Sequence, residues 1–187
     1  LGQITGMEST YLTSIELGPG IQHVRYARNS GDMQIPEGLS VPWEDTLCKR
    51  SLDMGILSTD QVSTLWGDSD AARQLGIKTY ISAPVRSGDG GLLGTLCAAS
   101  ARSVTINGET ETLLQLFANI VANFIEREML LDELQHANAR LAAYALADPL
   151  TGLPNRRALF DELERLLVQA VRTGSSILVG VIDLDGF

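Results

Sequence analysis

Apolar and polar side chains alternate in the first hundred residues, and this alternation predicts two pairs of β-strands. Residues 8–17 and 21–28 alternate with a period of two on either side of a Gly-Pro-Gly turn, which indicates a hairpin. Residues 79–87 and 92–100 flank an Asp-Gly turn and predict a second hairpin. The chain therefore begins and ends its first hundred residues with strands.

Between the two hairpins the pattern changes to a loop and short helices. The prolines and glycine of residues 35–42 predict a loop. Residues 43–55 predict a helix with one apolar face and a glycine just past its end. Residues 68–76 predict a shorter helix, with Asp68 or Ser69 as its cap and a terminal glycine as its stop. Strands combined with packed helices in this order favour an α+β domain with an antiparallel sheet.

One long helix is predicted next, because no proline or glycine interrupts residues 109–147. At about 1.5 Å per residue it would reach roughly 58 Å. Its first half is apolar nearly all round, so we expect it to be covered on two sides. In residues 126–147 leucines at d and an asparagine at a favour a parallel coiled coil in a homodimer, although a single amphipathic helix would show a similar stripe. The expected seam consists of Phe124, Leu131, Leu134, Asn138 and Leu141.

Residues 148–187 predict the start of a second, α/β unit. Asp148 precedes a proline, which ends the long helix. A helix over about 155–171 is expected to bury its apolar positions, and the apolar run 177–183 is typical of a fully buried strand. These helix positions are Leu159, Phe160, Leu163, Leu166, Leu167 and Ala170. Asp183 ends this strand and Asp185 follows it, where two carboxylates can hold a metal ion.

Composition narrows the classes of function. Hydrophobic residues make up 44% of the 187 positions, enough to bury a core, and the net charge of −9 argues against nucleic-acid and membrane partners. No apolar run approaches the roughly 18 residues that span a bilayer. Cys48 and Cys97 form no disulfide framework and predict a reducing, cytoplasmic setting. With only His23 and His136 beside them, no zinc-binding spacing is present.

Residues 1–125 resemble a GAF domain, a family of small-molecule sensor domains. The resemblance is carried by "IPEGLSVPWEDTLCKRSLDMG" and "GIKTYISAPVRSGDGGLLGTLCAAS". It implies a central antiparallel sheet with a pocket on one face, roofed by residues 35–75. The signature of cyclic-nucleotide-binding members is missing, and neither cysteine is followed by the histidine of bilin-binding members. The ligand therefore stays open; the candidate pocket residues are Trp43, Thr46, Cys48, Ser82 and Cys97.

Each of these candidates also has a structural interpretation. Trp43 fits packing in the core or roof, as most tryptophans do. Cys48 and Cys97 fit small buried hydrophobes better than a redox pair, since single buried cysteines usually behave that way. His23 has no second ligand near it in sequence, which favours a histidine held by ordinary contacts over a haem or metal ligand.

The segments "DPLTGLPNRR" and "VIDLDGF" resemble the start of a GGDEF domain, the diguanylate cyclase module. The resemblance implies that Asp183 and the Leu184 carbonyl bind Mg²⁺, and that the peptide N–H groups of Gly186 and Phe187 approach the GTP phosphates. The remaining catalytic parts would lie past Phe187, so we expect these 187 residues to be inactive and without a cofactor. A structural joint to the long helix is implied for Asp148, Thr151, Asn155 and Arg156.

The two resemblances together predict a GAF sensor (1–125), a coiled-coil signalling helix (126–147) and the first part of a GGDEF domain (148–187). They imply the sensory region of a diguanylate cyclase, whose ligand-dependent dimeric helix over 109–147 controls the synthesis of cyclic di-GMP from two GTP. The expected partners are a second copy, an unknown small ligand, and GTP with Mg²⁺ in the parent protein. The alternatives are a non-enzymatic module that only binds GTP or a protein, and a redox switch through Cys48 or Cys97.

Overall fold

The computed structural model describes residues 2–183 and 185–186. Residues up to Glu128 form one compact unit, and those from Met129 onward form a second. The strands are β1 (Ser9–Glu16), β2 (Ile21–Asn29), β3 (Ser40–Pro42), β4 (Ser58–Thr59), β5 (Thr79–Arg86) and β6 (Leu92–Ser100). The helices are α1 (Gly2–Thr5), α2 (Leu47–Met54), α3 (Val62–Leu65), α4 (Asp70–Leu75), α5 (Gly108–Leu146) and α6 (Arg156–Thr173), with a 3₁₀ turn at Trp43–Asp45.

The strands of the first unit form one antiparallel sheet in the order β3-β2-β1-β6-β5-β4. Both predicted hairpins are confirmed, and they are joined in the middle of the sheet by β1 and β6. The predicted loop 35–42 is wrong at its end, because residues 40–42 pair with β2 as a short edge strand. The α+β class with an antiparallel sheet is confirmed.

Short capped helices lie between the hairpins. Residues 43–45 form the 3₁₀ turn, and α2 begins only after Thr46, whose side chain accepts a hydrogen bond from the Lys49 N–H. Ser69 caps α4 in the same way through the Ala72 N–H, which decides between the two predicted caps. The short elements β4 and α3 carry too little periodicity to predict from sequence.

Both faces of the central sheet are buried. On one face, the segment from Met33 to Ile77 packs over the sheet around Trp43, Trp66 and Tyr80. On the other face, Ile81, Ala83, Val85, Leu96 and Ala98 pack against the first part of α5. Alternate residues of β5 and β6 therefore belong to different cores, as the period of two along a strand requires.

The helix α5 runs from Gly108 to Leu146, within one residue of the predicted bounds at each end. Leu114, Ala118 and Ala122 are spaced by four and form its buried stripe against the sheet. The expected cover on a second side is not found within the described chain, since Leu116 and Ile120 stay more than half exposed. Over the described residues, no helix is both long and apolar enough to cross a membrane.

The second unit departs from two sequence predictions. The helix α6 forms close to its predicted bounds and is capped by Asn155, but it buries no side chain: Leu159, Phe160 and Leu167 are exposed, and Leu163, Leu166 and Ala170 are half-buried. Residues 177–183 are not a strand, and Leu178 and Ile182 are almost fully exposed. A strand needs a neighbour to satisfy its backbone groups, and the described part of this unit supplies none.

Gly94 is expected to be essential for the pairing of β1 with β6. A Cβ added there would lie 1.9 Å from the Thr13 carbonyl oxygen, so Gly94→Ala must push the two strands apart. We expect a loss of about 1–3 kcal/mol or more in the free energy of unfolding. The measurement is tryptophan fluorescence in a urea titration, because Trp43 and Trp66 both lie in the first unit.

Gly108→Ala is the matched control, since an added Cβ at Gly108 meets nothing within 4 Å. This change should stay within about 0.5 kcal/mol of the parent chain. Equal midpoints for the two alanine variants would show that the close approach at Gly94 is not needed.

Candidate functional site

A small cavity of about 60 Å³ lies between the sheet and the segment that covers it. Its floor comes from β1 and β2, and its roof from the loop before β3 and from α2 and α4. Of the candidate pocket residues, Thr46 and Cys48 line it. The complete lining is Tyr11, Thr13, Gln22, Val24, Ile35, Leu39, Val41, Thr46, Leu47, Cys48, Ala71, Leu75 and Ile77.

Three candidate pocket residues, Trp43, Ser82 and Cys97, lie away from the cavity wall. Trp43 is buried in the core beneath the roof, in line with its structural interpretation. Ser82 forms a 2.8 Å hydrogen bond with the hydroxyl of Ser51 on α2, so it joins the sheet to that helix. On the surface of β2, His23 contacts the hydroxyl of Ser40 at 2.8 Å through Nδ1.

Cys48 and Cys97 are brought together although they are 49 positions apart in the chain. Both are buried and not disulfide-bonded, and their sulfur atoms lie 3.5 Å apart. Cys48 lies in the first turn of α2, and Cys97 lies behind it on the central strand β6. The site therefore contains a contacting dithiol, with one member at the cavity and the other below it.

Two polar side chains that sequence reasoning missed donate hydrogen bonds to this dithiol. The Tyr80 hydroxyl donates to the sulfur of Cys48 at 3.0 Å and lies 3.4 Å from that of Cys97. Nε2 of Gln22 donates to the sulfur of Cys48 at 3.0 Å. The signal in the sequence was the alternation of side chains between the two faces of a strand. It puts Tyr80 and Cys97 on the face that the roof covers, and it puts the polar Gln22 on that same inward face of β2.

Hydroxyl groups complete the cluster. Thr95 lies 3.2 Å from the sulfur of Cys97 and 3.3 Å from the Gln22 amide nitrogen. The hydroxyls of Thr13 and Thr95 are 2.7 Å apart. Each of these buried polar groups thus has a partner inside the core, as burial of polar atoms requires.

The two thiols differ in acidity. Burial opposes ionisation of Cys48, but the hydrogen bonds that its sulfur accepts, from Cys97 and Gln22 above all, outweigh burial and lower its pKa to about 6. Burial and the neighbouring Cys48 sulfur raise the pKa of Cys97 well above its ordinary value. Burial likewise raises the pKa of the Tyr80 hydroxyl, which keeps it a donor. The arrangement favours one thiolate and one thiol.

The expected dimer seam lies on an exposed part of α5. Asn138 is exposed, and the apolar seam positions are 40–66% exposed in the single chain. The apolar members are Phe124, Leu131, Leu134 and Leu141. Exposure of this many large apolar side chains on one helix is typical of a surface that is covered by a partner.

The residues that the second resemblance assigns to Mg²⁺ and phosphate are only partly described. Asp183 is exposed and Gly186 lies in a turn, whereas Leu184 and Phe187 are outside the described residues. Among the described residues, no group of three His, Cys, Asp or Glu side chains could hold a metal ion.

The implied joint is built from local hydrogen bonds in the second unit. An Asp148 carboxylate oxygen accepts from the N–H of Thr151 at 2.9 Å and from its hydroxyl at 2.8 Å. The Asn155 amide donates to the Ala145 carbonyl oxygen at 2.8 Å and also caps α6. The Arg156 guanidinium lies 5.5 Å from the centre of the Phe160 ring. These contacts fix the chain between the end of α5 and the start of α6.

Two family models match this chain. The model of the GAF domain matches residues 3–125, and the model "Diguanylate cyclase, GGDEF domain" matches residues 145–187. Solved GAF domains share the fold of the first unit. The phycocyanobilin-bound GAF domain from a cyanobacterial phytochrome has a TM-score of 0.56 at 17% identity, covering 67% of this chain and 78% of that one. The PixJ GAF domain of Thermosynechococcus elongatus has a TM-score of 0.58 at 10% identity, covering 73% and 84%.

Two curated relatives also resemble this sequence. The diguanylate cyclase DgcP of Escherichia coli strain K12 is 46% identical over 187 residues, which cover 100% of this chain and 55% of that protein. The bifunctional diguanylate cyclase/cyclic di-GMP phosphodiesterase MucR of Pseudomonas aeruginosa is 35% identical over 107 residues, 51% of this chain and 16% of that protein. The chain thus spans about half the length of the first of these relatives.

The acidity of Cys48 can be tested by ultraviolet titration of the reduced chain. One thiolate should form with a midpoint near pH 6, because the donors around Cys48 lower its pKa to about 6. Cys48→Ser should remove this step. Cys97→Ala should keep the step but move it to higher pH, since the donor that Cys97 supplies to Cys48 is lost. A step that persists in Cys48→Ser would contradict the assignment.

Proposed function

We propose, since this chain belongs to the GAF domain family and continues into the start of a GGDEF domain, that it is the sensory and regulatory region of a diguanylate cyclase. The observation that carries the proposal is the identity of 46% to a diguanylate cyclase over the whole chain. Both modules lie within that alignment, in the same order. The proposal includes a cytoplasmic setting, GTP as the substrate, and Mg²⁺ as the cofactor of a complete GGDEF domain.

The cavity of the GAF unit is the proposed sensing site. Its volume of about 60 Å³ is far below the 300 Å³ or more that is typical of drug-sized ligands. A bilin would therefore need a large rearrangement of α2 and α4. The stimulus that fits this cavity is a molecule of a few heavy atoms, bound beside Cys48 and Gln22.

Two glutamates of α5 accept hydrogen bonds from other parts of the first unit. Glu111 accepts a hydrogen bond from the Ser58 hydroxyl on β4, and Glu126 accepts one from the Gly88 N–H in the β5–β6 turn at 3.2 Å. Ser58 follows directly on the segment that closes α2, where the Ser51 hydroxyl donates to the Ile56 carbonyl oxygen. A shift of α2 on ligand binding therefore has a short mechanical route to α5.

The exposed seam of α5 supports a parallel homodimer, which the chemistry also needs. Cyclic di-GMP forms when the 3′-hydroxyl of each GTP attacks the α-phosphate of the other, with release of two pyrophosphates. One GGDEF domain holds one GTP, so two domains must meet. A dimeric helix joined to both GGDEF domains would determine how often the two domains meet.

The catalytic part of the proposal is tested on the full-length product of the gene that encodes this chain. A Gly-Gly-Asp/Glu-Glu-Phe loop and conversion of GTP to cyclic di-GMP are expected, with product measured by chromatography. Asp183→Asn should remove product formation, because it takes away the carboxylate assigned to Mg²⁺. Binding of GTP without product in the parent protein would instead support a non-enzymatic module.

The dimer is tested on the present chain by sedimentation. Leu134→Asp should shift the chain toward monomer, because each buried leucine contributes about 1.5–3 kcal/mol and a symmetric seam loses two. Met129→Asp is the matched control: Met129 is 59% exposed and Leu134 57%, but Met129 lies on the opposite side of the heptad. Equal dissociation of both variants, or a parent chain that is monomeric at all accessible concentrations, would overturn the seam.

A further inference from the structure

We infer that Cys48 and Cys97 form a hydroperoxide-reactive thiol pair, which a small peroxide that enters the cavity converts to an intramolecular disulfide. Both cysteines are free, buried and held 3.5 Å apart, sulfur to sulfur. The oxidation of this thiol pair does not depend on the proposed function. Only the role of the disulfide as the stimulus of the sensor rests on that function.

The geometry is close to that of a disulfide. The S–S bond is about 2.0 Å long, so the sulfurs must approach by about 1.5 Å from their present contact. Cys97 is fixed in the middle of the sheet, because β6 is paired on both sides by β1 and β5. Cys48 lies in the first turn of α2, on the roof of the cavity. We therefore expect Cys48 and the first turn of α2 to move toward Cys97 when the disulfide forms.

The surroundings give the two cysteines different roles. Cys48 borders the cavity and accepts hydrogen bonds from Tyr80 and Gln22, which stabilise a thiolate. Cys97 does not border the cavity and has Thr95 at 3.2 Å as a hydroxyl partner. Cys48 is therefore the attacking sulfur, and Cys97 is the thiol that resolves the product. The lowered pKa of Cys48 agrees with this order.

The reaction balances with one hydroperoxide. The Cys48 thiolate attacks the distal oxygen of the peroxide, the O–O bond breaks, and the leaving hydroxide or alkoxide takes up a proton, which leaves a sulfenic acid on Cys48. The Cys97 sulfur then attacks the Cys48 sulfur, forming the S–S bond and releasing water. The two thiols lose two electrons and two protons, and the peroxide is reduced to water and an alcohol, or to two waters.

The size of the cavity selects the oxidant. A space of about 60 Å³ is several times the roughly 10–15 Å³ that a cavity needs to hold one water, so it admits water or hydrogen peroxide. A bulky disulfide such as oxidised glutathione cannot reach Cys48 in this conformation. Structural zinc takes four ligands, and the described residues offer the two thiols no third His, Cys, Asp or Glu. Thiol oxidation thus fits the pair better than metal binding.

The test uses the reduced 187-residue chain, freed of reductant and treated with hydrogen peroxide. The intact mass should fall by two hydrogens, both thiols should become unreactive after denaturation, and peptide mapping should link Cys48 to Cys97. Dithiothreitol should reverse all three. Oxidised glutathione at equal concentration is the control oxidant. For each oxidant, the rate with the folded chain is divided by the rate with the denatured chain. This ratio should be at least ten-fold smaller for oxidised glutathione than for hydrogen peroxide.

Variants separate the two roles. Cys97→Ser should stop at a sulfenic acid on Cys48, captured by dimedone, whereas Cys48→Ser should leave Cys97 reduced. Tyr80→Phe keeps the ring and removes one donor, so oxidation should slow several-fold while tryptophan fluorescence shows the fold intact. Retention of both thiols in the folded chain, or disulfides only between chains, would overturn the inference. Neither result bears on cyclic di-GMP synthesis, so the two proposals fail independently.

Discussion

The first unit, the GAF domain, depends on the burial of both faces of its central strands. Strand geometry sends alternate side chains of β5 and β6 to opposite faces, and both sets are apolar enough to need cover. One face is covered by the first part of α5 and the other by the segment that contains α2 and α4. The cavity and the helix α5 are therefore on opposite faces of the same sheet. A change in packing at either face therefore acts on strands that contribute side chains to both cores.

The roof-side core is not purely apolar, and the polar side chains around the two cysteines are hydrogen-bonded to one another. The dithiol, Tyr80, Gln22 and Thr95 form a connected set of hydrogen bonds beneath the cavity. Leaving one buried donor or acceptor without a partner costs about 1–3 kcal/mol, so such a set holds its members in one arrangement. The same arrangement makes the sulfur of Cys48 acidic and keeps Cys97 protonated. Stability of the core and chemical reactivity at the cavity thus come from the same contacts.

In the second unit, the apolar pattern of the sequence has no neighbouring strands or helices to pack against within the described residues. Its local signals act as expected: Asp148 binds the turn that follows, and Asn155 caps α6. The apolar face of α6 and the run 177–183 stay exposed, because burial requires a sheet that the described part of this unit does not have. An apolar pattern indicates which side chains are favoured to be buried, but burial also requires other elements to pack against them.

The sequence by itself determined the local elements, since caps, turn residues and periodicity act over a few neighbouring positions. It predicted both hairpins, α2, α4, the bounds of α5 and the two families. It also gave Cys48 and Cys97 as candidates, but not their contact or the donors around them. That contact joins residues 49 positions apart, through the packing of α2 on β6. Tertiary structure alone decided it, because a distance between two elements depends on how they pack and leaves no periodic trace in the chain.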